Sequence, residues 1–270
     1  MNRGVLGRRR ALLLAAVGLS LLIPSRLAAQ FGGPPPPPPE PRKGAPVDLT
    51  GYWVSIVTED WRFRMITPDK GDYDSLPITA EGRRIADAWD PAKDEANGDQ
   101  CKSYGAPALL RVPERLHISW ENDTTLKLET DAGMQTREFH FGGTPPDGAA
   151  PTLQGYSVAS WEGLSRGAFG QLPTVAGGGA PRPAVSAGYL KVVTSQLRPG
   201  YLRKNGVPYS AKTTVVEYFE SFTEQNGDKW LVVTTIVNDP QYLFQPFVTS
   251  SPFKKIPDGA GWNPTPCEAK

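Results

Sequence analysis

Short runs of alternating apolar and polar residues, separated by turn signals, recur along the chain and commit it to a β-rich fold. Leu116, Ile118 and Trp120 share one face of an extended run that ends at Asn122-Asp123. Leu126 and Leu128 form the return strand, Asp131-Ala132-Gly133 the next turn, and residues 135–141 a third strand. Later runs cover 189–194, 214–222, 230–237 and 247–254. Asn226-Gly227 joins two of them, and Asn-Gly is a strong hairpin signal because both residues tolerate positive φ. Upstream, residues 51–57 are alternating and β-branched. Residues 61–65 also alternate, with Trp61, Phe63 and Met65 on one face and Arg62 and Arg64 on the other. Glycine and proline number 28 each among 270 residues, which excludes a mostly helical chain.

One helical patch, near 79–97, interrupts the strands. Thr79 is placed to N-cap it and Glu81 lies at the positive end of the helix dipole. Ile85, Ala86 and Trp89 make an apolar stripe at helical spacing. Asp90-Pro91 opens a second short helix, and Gly98 ends it. A Gly/Pro-rich stretch at about 164–188 separates two strand signals and reads as a flexible insertion. Strands in this order, with one helical segment, predict an antiparallel meander closing into a lipocalin-like barrel. A β-sandwich is the alternative. The absence of a long repeat argues against solenoids and propellers.

Residues 1–30 read as a secretory signal peptide. A basic start, MNRGVLGRRR, runs into an apolar stretch over 11–23, and Ala28-Ala29 offers a small-residue cleavage site. The apolar stretch is too short for a transmembrane helix, and no other segment approaches the length needed. Arg9-Arg10-Ala11-Leu12-Leu13 weakly resembles a twin-arginine signal. No cysteine lies near the cleavage site, against a lipoprotein anchor. The expected location is the periplasm or beyond. Residues 31–46, FGGPPPPPPEPRKGAP, read as an extended proline-rich tether. Residues 47–270 remain for a single β-rich domain.

The net charge of +1 conceals this asymmetry. Five of the 29 basic residues and none of the 28 acidic ones lie in the first thirty, so 24 face 28 afterwards, a net of −4. A basic nucleic-acid-binding surface has no support. In an oxidising compartment Cys101 and Cys267, which lack CxxC spacing, are expected to pair with each other.

Two resemblances accompany these patterns. Gly51-Tyr52-Trp53 is similar to the Gly-x-Trp of lipocalin-like (calycin) barrels. Gly155-Tyr156-Ser157-Val158 followed by Trp161-Glu162-Gly163 resembles the G-x-S-x-x-x-W-E-G block of a large family of uncharacterised secreted bacterial proteins. Leu190-Lys191-Val192-Val193-Thr194 resembles that family's L-V-V-x-T strand, and Gly206-Val207-Pro208-Tyr209-Ser210 its G-x-P-x-S turn. Thr234-Thr235-Ile236-Val237-Asn238-Asp239-Pro240 resembles its T-I-x-D-P ending, with Glu217 in the place of its strand glutamate. The stretch 164–188 departs from the family pattern. The resemblance implies secretion and one β-rich domain, and brings no activity with it.

Chemistry has few carriers. His117 and His140 are the two histidines, and a catalytic metal site generally needs three protein ligands, so neither a metal nor another cofactor is expected. No nucleophile elbow, zincin, P-loop or dinucleotide motif is present, and Ser157 and Ser210 lack an activating context. The best constellation is electrostatic. Arg62 and Arg64 share a face, and Glu217 interrupts the apolar face of Val215 and Phe219. Facing inward, they would put two guanidiniums and a carboxylate in the barrel, able to grip an anion or, through Glu217, to exchange a proton. The same pattern also fits a structural ion pair, or arginines turned to solvent. Trp161 and Glu162, beside the long insertion, are the second candidate, with Trp161 as a stacking wall. The reading that follows is an exported protein that binds a small, partly apolar, anionic ligand inside the barrel. The alternatives are a metal-independent isomerase, lyase or hydrolase using Glu217 with arginine support, and a structural envelope-associated protein.

Overall fold

A computed structural model describes residues 40–163 and 188–270. The expected signal peptide, the first part of the tether and nearly all of the expected insertion lie outside the described residues.

The first strand, β1 (Gly51–Ser55), is followed by three short helices: α1 (Trp61–Arg64), α2 (Ala80–Asp87) and α3 (Pro91–Ala96). Then come β2 (Arg115–Asn122), β3 (Thr125–Thr130), β4 (Thr136–Phe141), β5 (Tyr156–Gly163) and β6 (Gly188–Ser195). A small ribbon of β7 (Gly200–Arg203) and β8 (Val207–Tyr209) precedes β9 (Thr214–Thr223), β10 (Lys229–Asn238) and β11 (Phe247–Ile256). Nine of these strands close a barrel in the order β1-β11-β10-β9-β6-β5-β4-β3-β2, and β7 and β8 pair apart from it. The expected barrel is present. It departs from a pure meander at one seam: β4 and β5 run parallel, with Phe139, His140 and Phe141 opposite Ser157, Val158 and Ala159. Parallel neighbours need a crossover, supplied here by residues 142–155.

Alternation decides what points inward. Trp53, Leu116, Leu128, Phe139, Phe219 and Phe253 are fully buried and, with their neighbours, fill the half of the barrel nearest the β9–β10 hairpin. A second apolar core covers the other end, where Tyr73, Leu76 and Ile78 meet Val207 and Tyr209 of the ribbon and Val237 at the end of β10. The helical patch belongs to this cap. Its caps are the expected ones: the Thr79 hydroxyl accepts from Gly82 N at 3.1 Å, and the Asp90 carboxylate from Ala92 N at 3.1 Å.

Residues 61–65 are a correction. The alternating run expected to be a strand contains the helix α1. Both edges of β1 are already taken, by β11 and β2, so a further strand beside it has no ladder to join. Asp60, at φ 49°, turns the chain, and its carbonyl accepts from Phe63 N and Arg64 N instead.

The stretches 206–210 and 234–240 hold the cap to the barrel. The Asp239 carboxylate accepts from Ser210 N and Oγ, from Thr213 Oγ1 at 2.8 Å, from Gln241 N at 2.8 Å and from Tyr242 N at 3.1 Å. It thereby ties the 206–210 turn to the end of β10. Gly206, at φ 82°, lies under Trp89, where a Cβ would come within 2.2 Å of the ring. Cys101 and Cys267 form a disulfide, their Cα atoms 5.1 Å apart. The end of the proline-rich segment rests on the barrel rather than running free: Trp161 Nε1 donates to the Pro41 carbonyl at 2.8 Å, and Arg42 pairs with Asp123 at 3.5 Å.

Candidate functional site

A polar layer separates the two cores. Glu217 points inward, as its place between Val215 and Phe219 predicts, and is fully buried. Its partner is Arg137 of β4, with Nη1–Oε1 at 2.8 Å and Nη2–Oε2 at 2.6 Å. Nη2 also donates to Thr194 Oγ1 at 3.2 Å, and Thr194 shares a 2.8 Å hydrogen bond with Ser157. The fork of a guanidinium matches a carboxylate in this way, so the pair ties β4 to β9 through the barrel. Arg137 had a sequence signal, since it lies in phase with Phe139 along β4.

The structure does not bring Arg62 or Arg64 to Glu217. Arg62 is exposed on α1 and pairs with Asp72 at 2.6 Å. Arg64 is only 8% exposed, and its Nε donates to the Arg111 carbonyl at 2.9 Å and its Nη2 to Ser55 Oγ at 3.2 Å. Trp161 and Glu162 lie at the other end of β5 from Ser157. The Trp161 ring packs 5.4 Å from that of Phe141, and Glu162 pairs with Lys191 at 3.0 Å.

Arg64 instead lines a cleft of about 380 Å³ in the cap. Three further cations line it, Arg111, Arg203 and Lys204, against one carboxylate, Glu268. Arg111 pairs with Asp60 at 3.0 Å. Arg203 donates to the Asp74 carbonyl and to Ser75 Oγ, each at 3.1 Å, while its guanidinium stacks over Phe63 at 4.2 Å. Among the described residues neither Arg64 nor Arg203 has a carboxylate within ion-pair distance, and Arg64 Nη1 and Arg203 Nε are buried with no hydrogen-bond partner. Burial, and then the nearby Arg111 charge, lower the pKa of both; that of Arg203 falls to about 10. Thr265, Pro266 and Glu268 form one wall of the cleft, and Ser103 and Tyr104 another. The disulfide joins these walls. The cleft was illegible in the sequence because five separate stretches of chain build it.

Glu114, which precedes β2, is 5% exposed and neither carboxylate oxygen has a hydrogen-bond partner. Burial, and next the Asp131 charge, raise its pKa well above the ordinary range, against the opposing pull of Arg64 and Arg137. The folded protein therefore holds this proton more tightly than the unfolded chain. Stability is greatest below the ordinary carboxylate pKa and falls as pH rises through the folded value of Glu114, because the unfolded chain ionises first. Glu114→Gln is expected to abolish this fall and to raise stability at pH 8 by about 1–3 kcal/mol, read from urea midpoints. A variant less stable than the parent at pH 8 would contradict it.

Among the described residues no cluster of three or more His, Cys, Asp or Glu is placed to hold a metal ion, and no helix is long and apolar enough to cross a membrane. His117 stacks on Tyr52 with ring centroids 4.3 Å apart, and His140 on Tyr156 at 4.7 Å. Comparison with known proteins gives no match at a significant level, whether with family models, curated proteins or solved structures.

Proposed function

We propose that this is an exported protein that binds a small anionic ligand in the cap cleft. The carrying observation is the pair Arg64 and Arg203: two largely buried guanidiniums beside a ligand-sized cleft, without carboxylate partners among the described residues. A buried guanidinium without a carboxylate in direct contact is costly, and a bound carboxylate, sulfate or phosphate group offsets that cost through charge-assisted hydrogen bonds. The apolar part of the lining, including Phe63, Met65 and Ile66, suits a ligand that is partly apolar. The ligand site thus moves from the barrel interior to the cap, since apolar side chains fill one half of the interior and Arg137 occupies both oxygens of Glu217. Export rests on the signal-like first thirty residues, and the disulfide is compatible with an oxidising compartment.

Calorimetric titration with sulfate, which keeps its charge between pH 5 and 8, tests the reading. Arg64→Met and Arg203→Met are each expected to weaken binding by about tenfold or more, given ~1.5–3 kcal/mol for a charged hydrogen bond. Sulfate that fails to bind, or that binds both variants as tightly as the parent, contradicts it.

A further inference from the structure

Eight large hydrophobic side chains are exposed among the described residues, and Trp61 (63%), Met65 (58%), Ile66 (66%), Phe244 (68%) and Val248 (57%) are among those at the cap end of the molecule. Hydrogen bonds and ring contacts bring their segments together. Glu59 Oε1 accepts from Ser250 N at 3.2 Å, which sets the start of the α1 segment against β11. Arg111 bonds Asp60 at 3.0 Å and lies over the Phe247 ring at 5.4 Å, so the residue before Trp61 and the residue before Val248 share one guanidinium. Phe244 N donates to the Pro77 carbonyl at 3.0 Å, fixing the stretch that leads into β11. Met65 and Ile66 are themselves part of the cleft lining. An apolar rim therefore adjoins a cleft in which the buried guanidiniums of Arg64 and Arg203 have no carboxylate within ion-pair distance among the described residues.

We propose that this rim docks the protein on an anionic phospholipid surface, the side chains of Trp61, Met65, Ile66, Phe244 and Val248 entering the interfacial layer while a headgroup phosphate occupies the cleft beside Arg64 and Arg203. The four cations that line the cleft, against the one lining carboxylate, select this occupant. A phospholipid monolayer presents apolar chains and phosphates side by side, the two chemistries the rim and the cleft present together. Trp61 has the amphipathic ring that favours the boundary between headgroup and chain. The headgroup contact rests on the anion-binding reading of the cleft; the apolar contact does not.

The test is flotation of the mature chain with vesicles of phosphatidylcholine alone and of phosphatidylcholine mixed with phosphatidylglycerol, run beside the sulfate titration. The expected result is flotation with the mixed vesicles, weakened by salt and much poorer with phosphatidylcholine alone. The variant Trp61→Ser/Phe244→Ser/Val248→Ser changes exposed residues outside the cleft lining. It is expected to lose at least about tenfold in vesicle partitioning, given the transfer free energy of large apolar side chains, with its sulfate affinity unchanged. Absence of flotation while sulfate still binds overturns the docking surface and spares the cleft. Equal flotation of variant and parent overturns it too. So does a concentration-dependent dimer, seen by sedimentation and broken by the same variant, in protein that does not float. Rim-dependent flotation without sulfate binding has the opposite meaning: the cleft reading fails and the apolar contact stands.

Discussion

Replacing Glu217 by glutamine is expected to cost about 3–5 kcal/mol of folding stability, because it leaves the Arg137 guanidinium charged and unpaired at a position with no solvent exposure. The loss would be read as a drop in urea midpoint at unchanged slope. Arg137→Met/Glu217→Leu, which removes both charges and restores apolar volume, is expected to recover most of it. The pair spans β4 and β9, on either side of the parallel β4–β5 seam, so the single variant should also speed amide exchange at Phe139–Phe141, a segment that β5 meets over three residue pairs. Sulfate affinity separates this structural role from ligand binding. A Glu217→Gln variant with parental stability and altered affinity would place Glu217 in the ligand site, contrary to the geometry.

The second large effect comes from the disulfide. Cys101 and Cys267 are 166 residues apart, and in the chain-entropy model closing such a loop contributes roughly 5 kcal/mol. Cys101→Ser/Cys267→Ser is expected to lower the melting temperature by about 10–20 degrees, at the roughly 2–4 degrees per kcal/mol usual for a domain of this size. It should also weaken sulfate binding under conditions where the protein remains folded. Cys267 lies between Pro266 and Glu268, both on the cleft wall. Without the bridge that wall keeps non-covalent contacts such as Thr265 N to the Asp131 carbonyl at 2.9 Å and Glu268 N to the Tyr104 hydroxyl at 3.4 Å. A reduced protein with the melting temperature and affinity of the oxidised one would contradict both expectations.

Much of the barrel is legible in the sequence because its strands carry their own pattern. Leu116, Ile118, Leu126 and Leu128 alternate and all face inward. Asn226-Gly227 turns the β9–β10 hairpin, with Gly227 at φ 88°. Thr79 and Asp90 cap helices because their side-chain oxygens reach the first free backbone N–H groups. What was not legible depends on distant partners. The alternation of Trp61-Arg62-Phe63-Arg64-Met65 suits a strand, and only the occupied edges of β1 turn it into a helical turn. Glu217 could be assigned inward from its neighbours, but a buried carboxylate does not announce which arginine pairs with it. Arg137 stands 80 positions away and meets Glu217 only once the barrel has closed. The cleft depends on distant partners still more, since residues 63–67, 103–113, 132, 202–204 and 265–268 meet there only through the cap and the disulfide.

Crystals of the protein soaked in selenate, whose selenium scatters anomalously and whose shape and charge match sulfate, address the anion site directly. The expected result is an anomalous peak inside the cap cleft, with selenate oxygens about 2.7–2.9 Å from nitrogens of the Arg64 or Arg203 guanidinium. Anomalous peaks confined to other parts of the surface, with the cleft free of selenate, would contradict it.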